Sequence, residues 1–113
     1  MHEMSLAEEV LLLVEATARR ENATRVKLIV LEIGRLSAVE PEALQFCFAS
    51  VAQGSIAQTA ALEIIDTPGV GRCLDCAESV AMSELYGTCP HCGSHRLQAT
   101  AGTAMRVREI EIE

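Results

Sequence analysis

Four cysteines stand as Cys73-Leu74-Asp75-Cys76 and Cys89-Pro90-His91-Cys92, with twelve residues between the pairs. A C-x-x-C turn points both sulfurs to one side. Two such turns facing each other supply the four soft donors that a tetrahedral d¹⁰ ion takes. Pro90 stiffens the second turn, and Gly93 permits a positive φ just beyond its second ligand. The spacing predicts a zinc ribbon on Cys73, Cys76, Cys89 and Cys92. Four thiolates close the coordination sphere, so such an ion contributes to folding and leaves no position for a catalytic water.

A second donor set opens the chain, Met1-His2-Glu3-Met4. A methionine followed by a residue as large as histidine is normally retained, which places an amine, a peptide nitrogen and an imidazole in close succession. With the His2 amide deprotonated, the Met1 amine, the His2 amide nitrogen and His2 Nδ1 can close fused rings in one plane around a divalent ion. The Glu3 amide offers an alternative in-plane nitrogen. Planar nitrogen sets suit Ni(II) or Cu(II) and leave a fourth position open. A histidine at position two is also, and more commonly, an ordinary terminal residue, and local chemistry alone does not choose between the two.

The elements that must hold these donors follow from periodicity. Leu6, Val10, Leu13, Val14 and Thr17 fall on one face of a helix expected over 5–20, with Ser5 and Glu8 as its capping box. Residues 21–24 make a turn. Both alternating sets are largely apolar through 25–33, as in a strand covered on both faces. Gly34 ends that strand. A second helix is expected over 40–53, with Pro41 in its first turn, Leu44, Cys47, Phe48 and Val51 as its buried stripe, and Gly54 as its stop. Cys47, the odd cysteine, is read as a core thiol. The acidic pair Glu40 and Glu42 is favourable at a helix N-terminus by itself, with docking of a partner as the rarer alternative.

A short strand follows over 61–66, then a glycine-containing linker, Thr67-Pro68-Gly69-Val70-Gly71, through which the two halves could reorient. After the ribbon, 104–112 returns as a strand paired with the first-half sheet. The expected fold class is α+β, a small sheet with two helices plus an inserted zinc-ribbon module. Its domains divide as 1–69 together with 102–113, and 70–101.

Composition narrows the function. At 113 residues the chain holds one modest core and a small metal-stapled module. Half of it is apolar, yet only Phe46, Phe48 and Tyr86 are aromatic, so the core is aliphatic. No run reaches the roughly 20 apolar residues of a membrane span, and a secretory signal pattern is absent, so a cytoplasmic protein without membrane partners is expected. Five cysteines in a reducing compartment favour metal over disulfides. The formal net charge is −7, and the module from Arg72 to Arg96 carries only those two fixed positive charges, which argues against nucleic acid.

The opening Met1-His2-Glu3-Met4-Ser5-Leu6, the central run from Gly34 to Phe46, both cysteine pairs with Gly93-Ser94, and the closing Ile110-Glu111-Ile112-Glu113 together resemble the HypA/HybF family of hydrogenase nickel-insertion proteins. The matching segments run in the family's order along the entire chain. The resemblance implies a nickel metallochaperone rather than an enzyme, with transient Ni(II) on His2 aided by backbone nitrogens at Glu3. It also implies structural Zn(II) on Cys73, Cys76, Cys89 and Cys92. Implied partners are a HypB-type GTPase, the [NiFe]-hydrogenase large subunit and, in some organisms, the urease machinery. His91 and His95 could each donate to nickel if the ribbon swings toward His2, although idle surface histidines are the commoner case. A homodimer formed by domain exchange through the linker is conceivable.

Two other readings compete. A rubredoxin-like electron carrier uses similar knuckles around iron but would be wrapped in aromatics, where here Tyr86 stands nearly alone. A zinc-ribbon adaptor would be expected to carry more positive charge.

Overall fold

The computed structural model describes residues 2–113. The elements run α1 (Glu3–Arg20), β1 (Val26–Gly34), α2 (Pro41–Val51), β2 (Ala61–Thr67), β3 (Gly69–Cys73), β4 (Ser79–Met82), β5 (Leu97–Ala101) and β6 (Met105–Ile112). They form two three-stranded sheets, ordered β2-β1-β6 and β4-β3-β5, which makes the α+β class. The chain divides into two compact units. One comprises Met1–Leu31, Val39–Ile65 and Arg106–Glu113, and the other Glu32–Ala38 and Asp66–Met105.

In the first unit α1 packs on α2. The buried stripe of α1 is Leu6, Ala7, Val10, Val14 and Ala18. Leu13, expected on that stripe, is instead 48% exposed, and Thr17 is half-buried with its hydroxyl donating to the Leu13 carbonyl at 3.0 Å. The stripe turns toward Ala7 and Ala18, residues small enough to let a neighbouring element approach closely. The helix also starts two residues before the expected Ser5. His2 occupies the N-cap position with extended backbone and no side-chain capping bond, and the Leu6 amide donates to the His2 carbonyl at 3.2 Å. Ser5 therefore lies inside the first turn and no capping box forms. Glu3 opens the helix instead, with its carboxylate at the positive end of the dipole.

Strand β1 is the middle strand of its sheet, and Val26, Ile29, Val30, Leu31 and Ile33 are all buried along it. Strand β6 returns beside it, as expected of a chain segment that follows the ribbon. Its end is fixed where the Thr24 amide donates to the Glu113 carbonyl at 2.7 Å and Arg25 pairs with the Glu113 carboxylate at 2.9 Å. Helix α2 begins at Pro41, whose missing N–H costs nothing in a first turn. It buries Leu44 and Phe48, while Cys47 and Val51 are half-buried.

The second unit is built on antiparallel pairing of β3 with both neighbours, for example Gly71 opposite Val80 and Cys73 opposite Leu97. Its core is Leu36, Cys73, Val80, Met82 and Cys89, with Leu97 and Ala99 packed against it. The expected flexible linker over 67–71 is not one. Strand β2 runs to Thr67 and β3 begins at Gly69. Gly69 and Gly71 are buried, and an added Cβ would stand 2.4 Å from the Met82 carbonyl oxygen or 2.1 Å from Met82 Sδ. These glycines serve close packing rather than hinge freedom.

The segment from Glu32 to Ala38 locks into the same unit through three backbone bonds. The Gly34 amide donates to Ala104 O at 2.9 Å, the Arg35 amide to Thr67 O at 2.9 Å and the Leu36 amide to Gly102 O at 2.7 Å. A Cβ on Gly34 would lie 2.2 Å from Gly102 O, and Gly102 itself has φ +78. Gly34→Ala is therefore expected to destabilise the protein by roughly 2–4 kcal/mol, since backbone must move. Denaturant unfolding checks this, and an unchanged midpoint would mean the close approach is dispensable.

Candidate metal centre

Cys73 ends β3, and the chain then turns so that the Cys76 amide points at Cys73 Sγ, 3.4 Å away, and the Ala77 amide donates to Cys73 O at 2.9 Å. The second knuckle repeats the plan, with the Gly93 amide donating to Cys89 O at 2.8 Å. Gly93 has φ +77, the conformation its position in the turn foretold. Ala77 holds the matching place in the first knuckle with φ 66, a left-handed alanine that sequence inspection passes over because nothing in its side chain signals it.

The four sulfurs lie within 4.8 Å of one another. Cys73 Sγ is 3.5 Å from Cys92 Sγ, and Cys76 Sγ is 3.7 Å from Cys89 Sγ. Zinc–thiolate bonds of about 2.3 Å require a tetrahedron with edges of about 3.8 Å, so the cage already has the size the ion needs. Cys73 and Cys89 are buried, Cys76 is half-buried and Cys92 is exposed, giving the cage one open corner. His91 and His95 are exposed and lie outside the cluster, as does the half-buried Cys47. An outer brace joins the knuckles. Asp75 accepts from the Ser94 hydroxyl and from Arg96, while the Leu74 amide donates to Arg96 O at 2.9 Å. The Ser94 hydroxyl, with Arg96 beside it, holds the Asp75 carboxyl below its usual range.

The thiols do not titrate alike. The Cys76 amide, aided by other donors, holds Cys73 down to about 6. Cys76 feels the Glu78 amide pulling downward, but burial and the neighbouring thiols outweigh it and push Cys76 up to about 12. Cys92 is raised too, the Ser94 amide's downward pull being exceeded by the Cys73 sulfur and by burial. At pH 7 the metal-free cage thus holds Cys73 largely as thiolate and Cys76 and Cys92 as thiols. Zinc uptake at pH 7 is expected to release about two protons or more. Lowering the pH through about 6 protonates Cys73 as well, so affinity falls as pH falls. Calorimetry in buffers of differing ionisation enthalpy counts these protons, and a count near zero would contradict the picture.

The structure places His2 exposed at the N-cap of α1. The Met1 amine lies outside the described residues. Glu3 does not sit free: its Oε2 accepts from the Glu40 amide at 3.2 Å, and that bond holds its carboxyl below the usual range. Glu40 in turn caps α2 by accepting from the Glu42 amide at 3.3 Å. The opening of the chain is therefore tied to the start of α2, a pairing across 37 residues that no local signal announces. Among the described residues no helix is long and apolar enough to cross a membrane.

A helical unit that opens on an exposed histidine, in one chain with a four-thiolate ribbon, defines a small metal-handling α+β protein. The model of one family, described as hydrogenase/urease nickel incorporation, metallochaperone, hypA, matches residues 1–112, and the chain belongs to that family. Its description as a metallochaperone, not an enzyme, also sets aside the rubredoxin-like and adaptor readings. The hydrogenase maturation factor HypA of Dechloromonas aromatica is 73% identical over the full length of both chains. That of Azotobacter vinelandii is 51% identical over the same span. The solution structure of the Ni metallochaperone HypA from Helicobacter pylori superposes with a TM-score of 0.71 at 28% identity, covering 99% of this chain and 97% of that one.

Proposed function

We propose that this chain captures Ni(II) at His2 with backbone nitrogens at and around Glu3, and delivers it to the large subunit of [NiFe]-hydrogenase. Delivery proceeds with a HypB-type GTPase in the cytoplasm, with the urease machinery as a second recipient. Zn(II) on Cys73, Cys76, Cys89 and Cys92 keeps the ribbon folded. On this reading 1–69 with 102–113 form the nickel-binding domain and 70–101 the zinc-ribbon domain.

The observation that carries the reading is the position of His2 and Glu3 at a helix start. The first four amides of a helix have no intrahelical acceptor. Glu3 is the first residue of α1, so its nitrogen can lose a proton to a metal without breaking a helical bond, and the same holds for His2 just before it. The His2 carbonyl, by contrast, is occupied by the Leu6 amide, which anchors the backbone while leaving the imidazole at the surface. A few nitrogens on a chain end suit an ion that must be surrendered, whereas a closed thiolate cage retains its ion.

Nickel X-ray absorption on protein with its native start tests the assignment, compared with protein carrying residues ahead of Met1. The expected result is an all-nitrogen/oxygen shell including one imidazole, altered when the amine is blocked. Sulfur in the nickel shell would overturn it. Transfer of isotopic nickel to apo hydrogenase large subunit, with and without the GTPase, tests delivery.

A further inference from the structure

The two knuckles of the cage are anchored unequally. The first grows directly out of β3, with Cys73 buried and paired opposite Leu97 of β5. The second belongs to no strand, because β4 ends at Met82 and β5 begins only at Leu97. Its Cys92 is the exposed sulfur of the four, yet it stands 3.5 Å from Cys73 Sγ. Something other than a strand must keep it there.

Ser94, two residues beyond Cys92 and half-buried, meets both knuckles. Its carbonyl accepts from the Cys89 amide at 2.8 Å, which closes the second knuckle on itself. Its hydroxyl donates to Oδ2 of Asp75, in the first knuckle, and accepts from the Arg96 amide at 3.0 Å. Arg96 completes the circuit. Its Nη1 stands 2.5 Å from Oδ1 of Asp75, and its carbonyl accepts from the Leu74 amide at 2.9 Å. Both carboxylate oxygens of Asp75 are thus engaged, and both bonds run to the chain segment that follows Cys92.

We propose that Asp75 and Ser94 are positioning residues for the ion of the ribbon, a carboxylate–hydroxyl latch that holds Cys92 opposite Cys73 and thereby slows the loss of zinc. The inference rests on the zinc reading of the cage. A competing chelator can first reach the ion at the exposed corner, so loss begins with the bond to Cys92. Whether that bond re-forms depends on how far the freed sulfur moves. A hydrogen bond to an ionised acceptor is among the stronger ones and keeps the knuckle in register. Folding stability is a poor account of the same contacts, since exposed ion pairs contribute little to it and Asp75 and Arg96 are both exposed. Outer partners that orient metal ligands are worth about 10–100-fold in metal retention.

The test uses the zinc-loaded full chain, mixed with excess chromophoric chelator, and reads the rate of zinc release. Asp75→Asn and Ser94→Ala are each expected to release zinc about 10–100-fold faster than the parent, with circular dichroism and one zinc per chain retained before mixing. Ser94→Thr, which keeps the hydroxyl, should release at nearly the parent rate. The double variant Asp75→Asn/Ser94→Ala should be no faster than the faster single variant within about twofold, because the two residues share one bond. Glu78→Gln removes an exposed charge from the same unit without touching the latch, so its rate should stay at the parent value. Variants that release at the parent rate overturn the inference. So does Glu78→Gln matching Asp75→Asn, which would make the effect one of charge alone, and so does a double variant whose acceleration is the product of the singles. A parent chain that holds no zinc removes the ribbon reading and the latch together, whereas a zinc-holding parent with equally slow variants removes the latch alone.

Discussion

His2→Ala is expected to abolish specific nickel binding and leave the rest of the protein as it was. The imidazole is exposed at the N-cap of α1 and makes no capping bond, so its removal should change stability by no more than about 0.5 kcal/mol, as for other surface positions. Losing the one imidazole of a nitrogen set is a different matter. Even outer partners of metal ligands are worth about 10–100-fold in affinity, and a direct ligand should exceed that. Equilibrium dialysis or calorimetry with Ni(II) should show the loss, while metal analysis finds zinc unchanged. Nickel affinity equal to that of the parent chain would mean that the cargo sits elsewhere, with the thiolates as the first place to look. Glu3→Gln provides the contrast. It keeps the amide nitrogen and weakens only the charged acceptor of the Glu40 amide, so nickel binding should survive with the chain's opening less firmly tied to α2.

Cys73→Ser should be the most damaging single change in the second unit. Cys73 Sγ is both a cage donor and a core group, fully buried among Leu36, Val80, Met82 and Cys89. Structural zinc in small modules is coupled to apparent binding energies of about 10–16 kcal/mol, so losing one of four thiolates removes much of what holds β3, β4 and β5 together. Zinc content should fall below one per chain, and hydrogen exchange should lose protection across Gly69–Cys73, Ser79–Met82 and Leu97–Ala101. Nickel binding at His2 should persist. Cys92→Ala is the milder companion, because that sulfur is exposed and its loss opens a corner of the cage without disturbing the core. Full zinc content and unchanged protection in Cys73→Ser would refute the structural role.

Much of this was legible in the residues themselves. Two C-x-x-C turns separated by twelve residues dictate a thiolate cage because ligand spacing is a local property, and the structure brings those four sulfurs together. Both helices and the strands over 26–34 and 105–112 follow from hydrophobic period and from breakers such as Gly34 and Pro41, which act within a few residues. The positive φ at Gly93 belongs to the same kind of signal.

Tertiary structure decided the rest, because each remaining feature depends on a neighbour distant along the chain. Which leucines of α1 are inside depends on what packs against the helix, so Leu13 faces out although its period points in. Gly69 and Gly71 look like a hinge in isolation but are pressed against Met82. The segment from Glu32 to Ala38 follows the first unit's strand in sequence and belongs to the second unit by its hydrogen bonds to Thr67, Gly102 and Ala104. Glu3 meets the Glu40 amide only because the chain folds back on itself. Local residue chemistry sets which metal a turn can hold. Long-range packing sets which surfaces meet, and one strand of sequence carries no direct record of its contacts across space.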